Sequence, residues 1–303
     1  MTTALSLTVA VIGGAIAYFL WARAAIAEGG NALWFIAGLP VAFLAIPFLA
    51  SALWFTLSWF FRAPQPPQAR LSVRALPRRF AREVLAIAGS VPRMIAYRWL
   101  MRDPPAARAE APVLLLHGLM CNAGVWHPLK RHLAARGIGP LYALSYGPPL
   151  ASIEFFADQA AAKIDAILAA TGGRQVTVVA HSMGGLVARA YVRRWGGAKV
   201  RLVITIGTPH RGSMLAHVFP GRSLAQMRPR NPWLTELGTS AVESPPPIVS
   251  LWSWHDSMVA PQTSSELAQA ENVALVGIAH NALLSDPEVF RRVAAELERA
   301  ARA

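Results

Sequence analysis

Residues Gln175–Arg189, QVTVVAHSMGGLVAR, constrain this chain more than any other stretch. Val176, Val178 and Val179 are β-branched, with Thr177 between them, and read as a buried strand. From Met183 to Arg194 the apolar residues Leu186, Val187, Ala190 and Tyr191 recur at helical spacing. Between strand and helix lies Ala180-His181-Ser182-Met183-Gly184. A serine placed there sits on a sharp strand-to-helix turn, its hydroxyl pushed out at the C-terminal edge of a parallel sheet. The pattern is a G-x-S-x-G elbow with Ala180 in the first position. Small neighbours suit a strained turn, and Gly184 and Gly185 let the start of the helix press against the strand. The helix N-terminus also directs positive charge at the serine, which favours an oxyanion.

Such a short pattern recurs by chance, so its neighbours decide its meaning. Val113–Leu116 (VLLL) is apolar throughout, as a strand buried on both faces should be, and it ends at His117-Gly118-Leu119-Met120. The spacing then predicts a helix over Val125–Ala135, a strand over Leu141–Ser145 and a helix over Ser152–Ala170. After the elbow come strands over Arg201–Ile206, Ile248–Trp252 and Val273–Val276. Asp286-Pro287 opens a terminal helix to about Arg299, with proline in its first turn. Strands alternating with helices at this spacing predict an α/β chain with a doubly wound, mostly parallel sheet. Sites in such sheets form at the C-terminal ends of the strands. His117, Ser182, Thr208–His210, Asp256 and His280 all fall at such ends.

From about Pro112 to Phe290 the chain resembles a bacterial lipase or esterase of the α/β-hydrolase superfamily. The resemblance rests on HGLM at 117–120, AHSMGG at 180–185, GTPHRGS at 207–213, HDSMVAP at 255–261 and GIAHNALL at 277–284. The alanine-first elbow is similar to that of small lipases. The resemblance implies an α/β-hydrolase fold and a Ser-His-Asp acyl-enzyme mechanism. Ser182 is then the nucleophile, and a serine hydroxyl, weak at its own pKa, needs an adjacent base. His280, after a late strand, is the expected base. Among its rivals, His117 is expected to shape the oxyanion loop, His181 to point away from the cleft, and His210 to follow the wrong strand; His255 is the fourth. Asp256 is the expected orienting acid; Asp286 reads as a helix cap, and Glu266 competes. Ser182, Asp256 and His280 follow one another in the order this fold uses. The backbone N–H groups of Leu119 and Met183 are the expected oxyanion donors. Met120 and Met258 are expected to contact substrate at the mouth, beside Leu119 and Met183. Residues 213–247 interrupt the strand pattern with Met214, Leu215, Val218, Phe219, Leu224, Met227, Trp233 and Leu234, and read as a helical lid.

Composition locates the rest. Hydrophobic residues make up 54% of the 303, and the net charge is +13. Residues 1–102 hold ten arginines and only two acids, Glu28 and Glu83, so the basic excess crowds the greasiest third. That pairing points to a membrane surface; no basic stripe with stacking aromatics speaks for nucleic acid. Residues 1–22 carry no charged side chain, and neither do residues 32–61, whereas about 20 such residues suffice to cross a bilayer. Pro40 and Pro47 interrupt the second stretch, which is expected to kink, tilt or lie partly in the interface. Ala25-Ile26-Ala27 resembles a signal-peptide cleavage site, but Met1–Ser6 has no positive charge, so the first stretch reads as a retained helix. Arg62, Arg70, Arg74, Arg78, Arg79 and Arg82 follow the second helix, while Arg23 alone lies between the two. The positive-inside rule then puts the following domain in the cytoplasm, at the inner membrane. Residues 64–70 read as a stiff Pro-rich linker. Phe80, Val84, Ile87, Val91, Ile95 and Trp99 share one helical stripe, opposite Arg79, Arg82 and Arg93. That helix is expected either to lie in the interface or to dock on the catalytic domain, with a break at Gly89 and Pro92.

The expected organisation is therefore a two-helix membrane anchor over 1–62, a basic linker and amphipathic helix over 63–111, and a hydrolase domain over 112–303. Cys121 is the single cysteine, and no Cys/His cluster calls for zinc. Neither metal nor other cofactor is expected. The resemblance implies a serine hydrolase of carboxylic esters; with the apolar N-terminal third, the expectation is a membrane-anchored enzyme whose partners are the bilayer and an ester, lipid above all. An acyltransferase or thioesterase on the same triad is the alternative enzyme. A non-catalytic membrane-assembly protein on a hydrolase scaffold is the alternative of another class. Oligomeric state leaves no mark in the sequence.

Overall fold

Strands without a polar face must be covered on both sides, and the chain does this with helices. A computed structural model describes residues 3–242 and 244–302. Its N-terminal part runs α1 (Thr3–Ala27), α2 (Ala32–Phe61), α3 (Leu76–Ile95) and the short α4 (Tyr97–Leu100). Then follow β1 (Val113–Leu116), α5 (His127–Ala134), β2 (Leu141–Leu144), α6 (Ile153–Thr171), β3 (Val176–His181), α7 (Met183–Trp195) and β4 (Val200–Ile206). The remainder is α8 (Arg222–Gln226), α9 (Pro232–Thr239), β5 (Ile248–Ser253), β6 (Glu271–Leu275) and α10 (Pro287–Arg302).

The six strands form one parallel sheet in the order β2-β1-β3-β4-β5-β6. Register lines up Leu115, Val179, Ile204 and Val249 on one face. These pack under α5, α10 and the buried side of α3, through Leu129, Val293 and Met94 among others. The alternate row, Leu114, Val178 and Val203, packs under α6, α7 and the 213–247 segment. Alternation of side chains along each strand thus builds two cores from one sheet.

Two elements differ in detail from the sequence pattern. The helix expected over Val125–Ala135 begins as a 3-10 turn at Ala123–Trp126 and becomes α5 at His127, where Pro128 falls in the first turn and needs no donor. The last strand starts at Glu271, ahead of its apolar run, because it is an edge strand with its side chains largely exposed.

Helices α1 and α2, at 25 and 30 residues, are roughly 37 and 45 Å long. Asn31 caps α2 through Leu33 N, and Tyr18 Oη donates to Phe35 O at 2.6 Å across the hairpin. Both prolines lie inside a continuous α2. Most of their large apolar side chains face outward; Trp34 is 76% exposed and Ile46 77%. Helix α3 behaves differently. It runs unbroken through Gly89 and Pro92, correcting the expected break, because neighbours hold that turn: Arg93 Nε donates to Gly89 O, and Asn122 Nδ2 to Met94 O at 2.9 Å. It docks on the sheet domain through Ala86 and Met94, and on α2 through Phe80, whose ring meets Phe48 and Phe55. Trp99, expected on the apolar stripe, is exposed: α3 ends at Ile95, and Trp99 belongs to the separate short helix α4. The Pro-rich segment is no free spacer either. Ala63 N donates to Gln262 Oε1 at 3.0 Å, Gln65 Nε2 donates to Trp254 O at 3.1 Å, and Ala69 is buried.

Candidate active site

The β3–α7 turn holds Ser182 at φ 54°, ψ −126°, a conformation that costs a non-glycine residue about 1–3 kcal/mol. Three hydrogen bonds maintain it. Ser182 N donates to Ile206 O at 2.9 Å; Thr208 Oγ1 and Gly185 N donate to Ser182 O at 2.9 and 3.1 Å. The two glycines are required by close approach: a Cβ on Gly184 would strike the Leu116 and His117 carbonyls, and one on Gly185 the Thr208 side chain.

Asp256 lies in the loop after β5, His280 in the loop after β6, and both are buried. His280 Nδ1 lies 2.9 Å from Asp256 Oδ1 and 2.8 Å from Oδ2. Asp256 Oδ1 also accepts from Met258 N and Val259 N, at 2.8 and 2.7 Å, so the carboxylate is fixed by its own loop. Burial opposes a charge on the His280 imidazole, but the Asp256 carboxylate, with Glu83 further off, outweighs it and holds the pKa above 6.5. His181, next to Ser182, packs its ring against His280 with centroids 4.7 Å apart, and its Nε2 lies 3.3 Å from His280 O. The elbow and the His280 loop are therefore in direct contact. His181, expected to turn from the cleft, is buried at 2% exposure with its ring beside the imidazole of residue 280. Burial and the neighbouring His280 push its pKa down and keep it neutral.

The other histidines are engaged elsewhere. His117 stacks on Tyr146 at 4.0 Å, its Nδ1 is 2.8 Å from Gly118 O, and burial pushes its pKa down to about 4. His210 is buried between Thr205 Oγ1 and Arg189. His255 Nδ1 accepts from Gly277 N at 3.1 Å. Asp286 caps α10 through Glu288 N at 2.8 Å and pairs with Arg82. Glu266 lies on the exposed surface near Arg211.

Met183 opens α7, so its N–H belongs to the unsatisfied first turn of a helix. Leu119 follows Gly118, whose Cα side abuts Ser182: a Cβ there would lie 3.0 Å from Ser182 Cβ. Met120 is exposed on the same loop, and Met258 Sδ accepts from Asn281 Nδ2 at 3.6 Å beside His280. In the 213–247 segment Leu224, Met227 and Leu234 are buried in the core that α6 and α7 share with one face of the sheet, whereas Val218 and Phe219 remain exposed. Phe219 meets Trp54 of α2 edge-on at 6.0 Å. Among the described residues no cluster of His, Cys, Asp or Glu is arranged to hold a metal.

Three residues that the sequence reading did not single out approach the site from outside the sheet domain or from its far loop. Glu83 of α3 is fully buried and accepts from Ser257 Oγ, Asn281 N, Asn281 Nδ2 and Ala282 N. Ser58 of α2 donates to Asp256 O at 3.1 Å, and Gln262 Nε2 donates to both Ser58 Oγ and Asp256 O. For Glu83 a signal existed: it sits three residues after Phe80 and four before Ile87, on the apolar stripe rather than among the arginines.

The model of the alpha/beta hydrolase family matches residues 113–301, more than half of the chain. The chain belongs to the alpha/beta hydrolase family. Among relatives of this hydrolase, a triacylglycerol lipase of Burkholderia plantarii is 30% identical over 167 residues, covering 49% of this chain and 43% of the lipase. A triacylglycerol lipase of Pseudarthrobacter phenanthrenivorans is 34% identical over 122 residues, 36% of each chain. The alignments thus span less than half of these relatives. The mature lipase BlEst2 of Bacillus licheniformis shares the fold, with a TM-score of 0.57 and 18% identity over 64% of this chain and 96% of that one. Helices α1–α4, Glu83 and Ser58 precede the matched part of the hydrolase.

Proposed function

We propose that this alpha/beta hydrolase is a membrane-anchored serine esterase acting on lipid esters. The observation that carries the proposal is the buried Asp256–His280 pair, 2.8 Å apart, whose imidazole packs against His181, the residue before a serine held at positive φ on the elbow. Ser182 Oγ attacks the ester carbonyl carbon while its proton passes to His280 Nε2. The N–H groups of Leu119 and Met183 receive the oxyanion, each contributing roughly 3 kcal/mol to the transition state. His280 returns the proton to the departing alkoxide, leaving acyl-Ser182 and a free alcohol. Water then attacks the acyl carbon and gives its proton to His280; Ser182 leaves with that proton and the carboxylic acid is released. Asp256 holds Nδ1–H and stabilises the imidazolium throughout. Met120 and Met258 line the entrance, and residues 213–247 form the lid, with Val218 and Phe219 offered to an acyl chain.

A lipid substrate is supported by the contact of α2 with the Asp256 loop and with Phe219, and by the lipases among the relatives. Anchoring by α1 and α2 is supported by their length and outward apolar faces. The arginines after Phe61 favour a cytoplasmic hydrolase domain. Incubation with a total membrane lipid extract should release fatty acids, and a fluorophosphonate probe should label the wild type but not Ser182→Ala. Equal behaviour of the two proteins would end the enzymatic reading. Alkaline extraction should leave the protein in the membrane pellet, and protease should reach the domain in inverted vesicles but not in intact spheroplasts.

A further inference from the structure

The loops bearing Asp256 and His280 are braced by one carboxylate from another part of the chain. Glu83 Oε1 accepts from Ser257 Oγ at 2.9 Å, from Asn281 N at 3.1 Å and from Asn281 Nδ2 at 2.8 Å; Oε2 accepts from Ala282 N at 2.9 Å. Ser257 directly follows Asp256, and Asn281 and Ala282 directly follow His280. Ser257 Oγ closes the circuit by accepting from His280 N at 3.3 Å. No water reaches Glu83, and the buried donors Ser257 Oγ and Ala282 N would be stranded without it. A fully buried carboxylate is expensive unless several donors satisfy it. A neutral side chain would fill the space at lower cost if packing were the only requirement.

We infer that Glu83 is a positioning residue of the active site, holding the loop of the acid and the loop of the base in one register. It does not touch the reacting atoms. It acts through backbone, hydroxyl and side-chain amide donors one and two residues away from Asp256 and His280. It also adds a second negative charge near the imidazole, whose charged or titratable neighbours are Asp256 from the β5 loop, Glu83 from α3 and His181 from β3. Arg79, one turn away on α3, faces Glu83 itself. The consequence is that the part of the chain matching the family, 113–301, lacks one of its own site's supports. This inference rests on the reading of Ser182, His280 and Asp256 as the triad.

The test uses the full-length protein in detergent micelles with a soluble ester, comparing wild type, Glu83→Gln and Ser257→Ala. Glu83→Gln keeps the size but turns a donor toward donors. It should lower kcat by roughly 10²-fold, the scale of a misplaced catalytic group, with KM within about twofold. The acid limb of its pH profile should move to lower pH, because the imidazole loses a neighbouring anion. Ser257→Ala, which removes one of the four donors and keeps Glu83 charged, should lower kcat several-fold without moving the limb. Wild-type kcat and an unmoved limb in a folded Glu83→Gln protein would overturn the inference. If Glu83→Gln does not fold, wild-type kcat in Ser257→Ala would overturn it as well. Failure of the wild type to react with a fluorophosphonate would instead remove the triad reading, and this inference with it.

Discussion

Leu115 in β1 and Leu49 in α2 are the same side chain in opposite circumstances, the first 0% exposed and the second 65%. The contrast holds for the two regions as wholes. The sheet turns its valines, leucines and isoleucines toward helices on either face. Helix α1 turns Phe19 outward, and helix α2 turns Trp34, Ile46 and Phe60 outward. Apolar surface leaves water at roughly 25 cal/mol per Å², which suffices to account for the sheet but not for two helices that stay outward-facing. Both helices are long and apolar enough to cross a membrane, and on the anchored reading a bilayer is the solvent their outward faces meet. The difference teaches that composition alone does not define a core: the same residues specify an interior in one region and an exterior in the other.

The comparison can be broken or sharpened by exchanges on each side of it. The largest effect is expected from Ser182→Ala, which should cut ester hydrolysis by roughly 10⁴-fold or more yet leave the protein in the alkaline membrane pellet. Loss of membrane retention would mean that the two regions are not separable in this way. Leu115→Ala should cost about 2–5 kcal/mol of stability by opening a cavity in the sheet core, read by thermal denaturation in micelles. The pH profile of kcat/KM comes next. On the proposed mechanism His280 is neutral when it takes the serine proton, and its pKa is raised above 6.5, so activity should fall as pH drops through a midpoint higher than that of a free histidine. A midpoint below 6.5 would contradict the paired geometry. Leu49→Ala should change stability least, within about 0.5 kcal/mol, because that side chain has little protein around it. A cost like that of Leu115→Ala would show that α2 is packed rather than solvated by lipid.

Much of the fold was legible because its signals are local. A run such as Val113–Leu116 announces a doubly covered strand, and Ala180–Gly185 announces a turn whose glycines are needed for contact with Leu116, His117 and Thr208. The family elements HGLM, AHSMGG and GIAHNALL gave the order of the candidate site along the chain. What escaped was long-range. Glu83 meets residues nearly 200 positions away, and Ser58 of a largely apolar helix meets Asp256 O. Side chains of this kind carry no spacing relation to their partners, so a pattern cannot register them. The packing of His181 on His280 is a related case: only the folded sheet brings the His280 loop alongside it.

The bonds from Ser58, Ala63 and Gln65 to the loops around Asp256 leave no slack between helix α2 and the chemistry. On the anchored reading, the enzyme cannot swing out on a leash to collect substrate from solution. Its mouth is set at one height relative to the lipid, and its search is confined to two dimensions. Which esters it meets is then decided first by how deep their carbonyls ride in the leaflet, and only afterwards by what headgroup they carry.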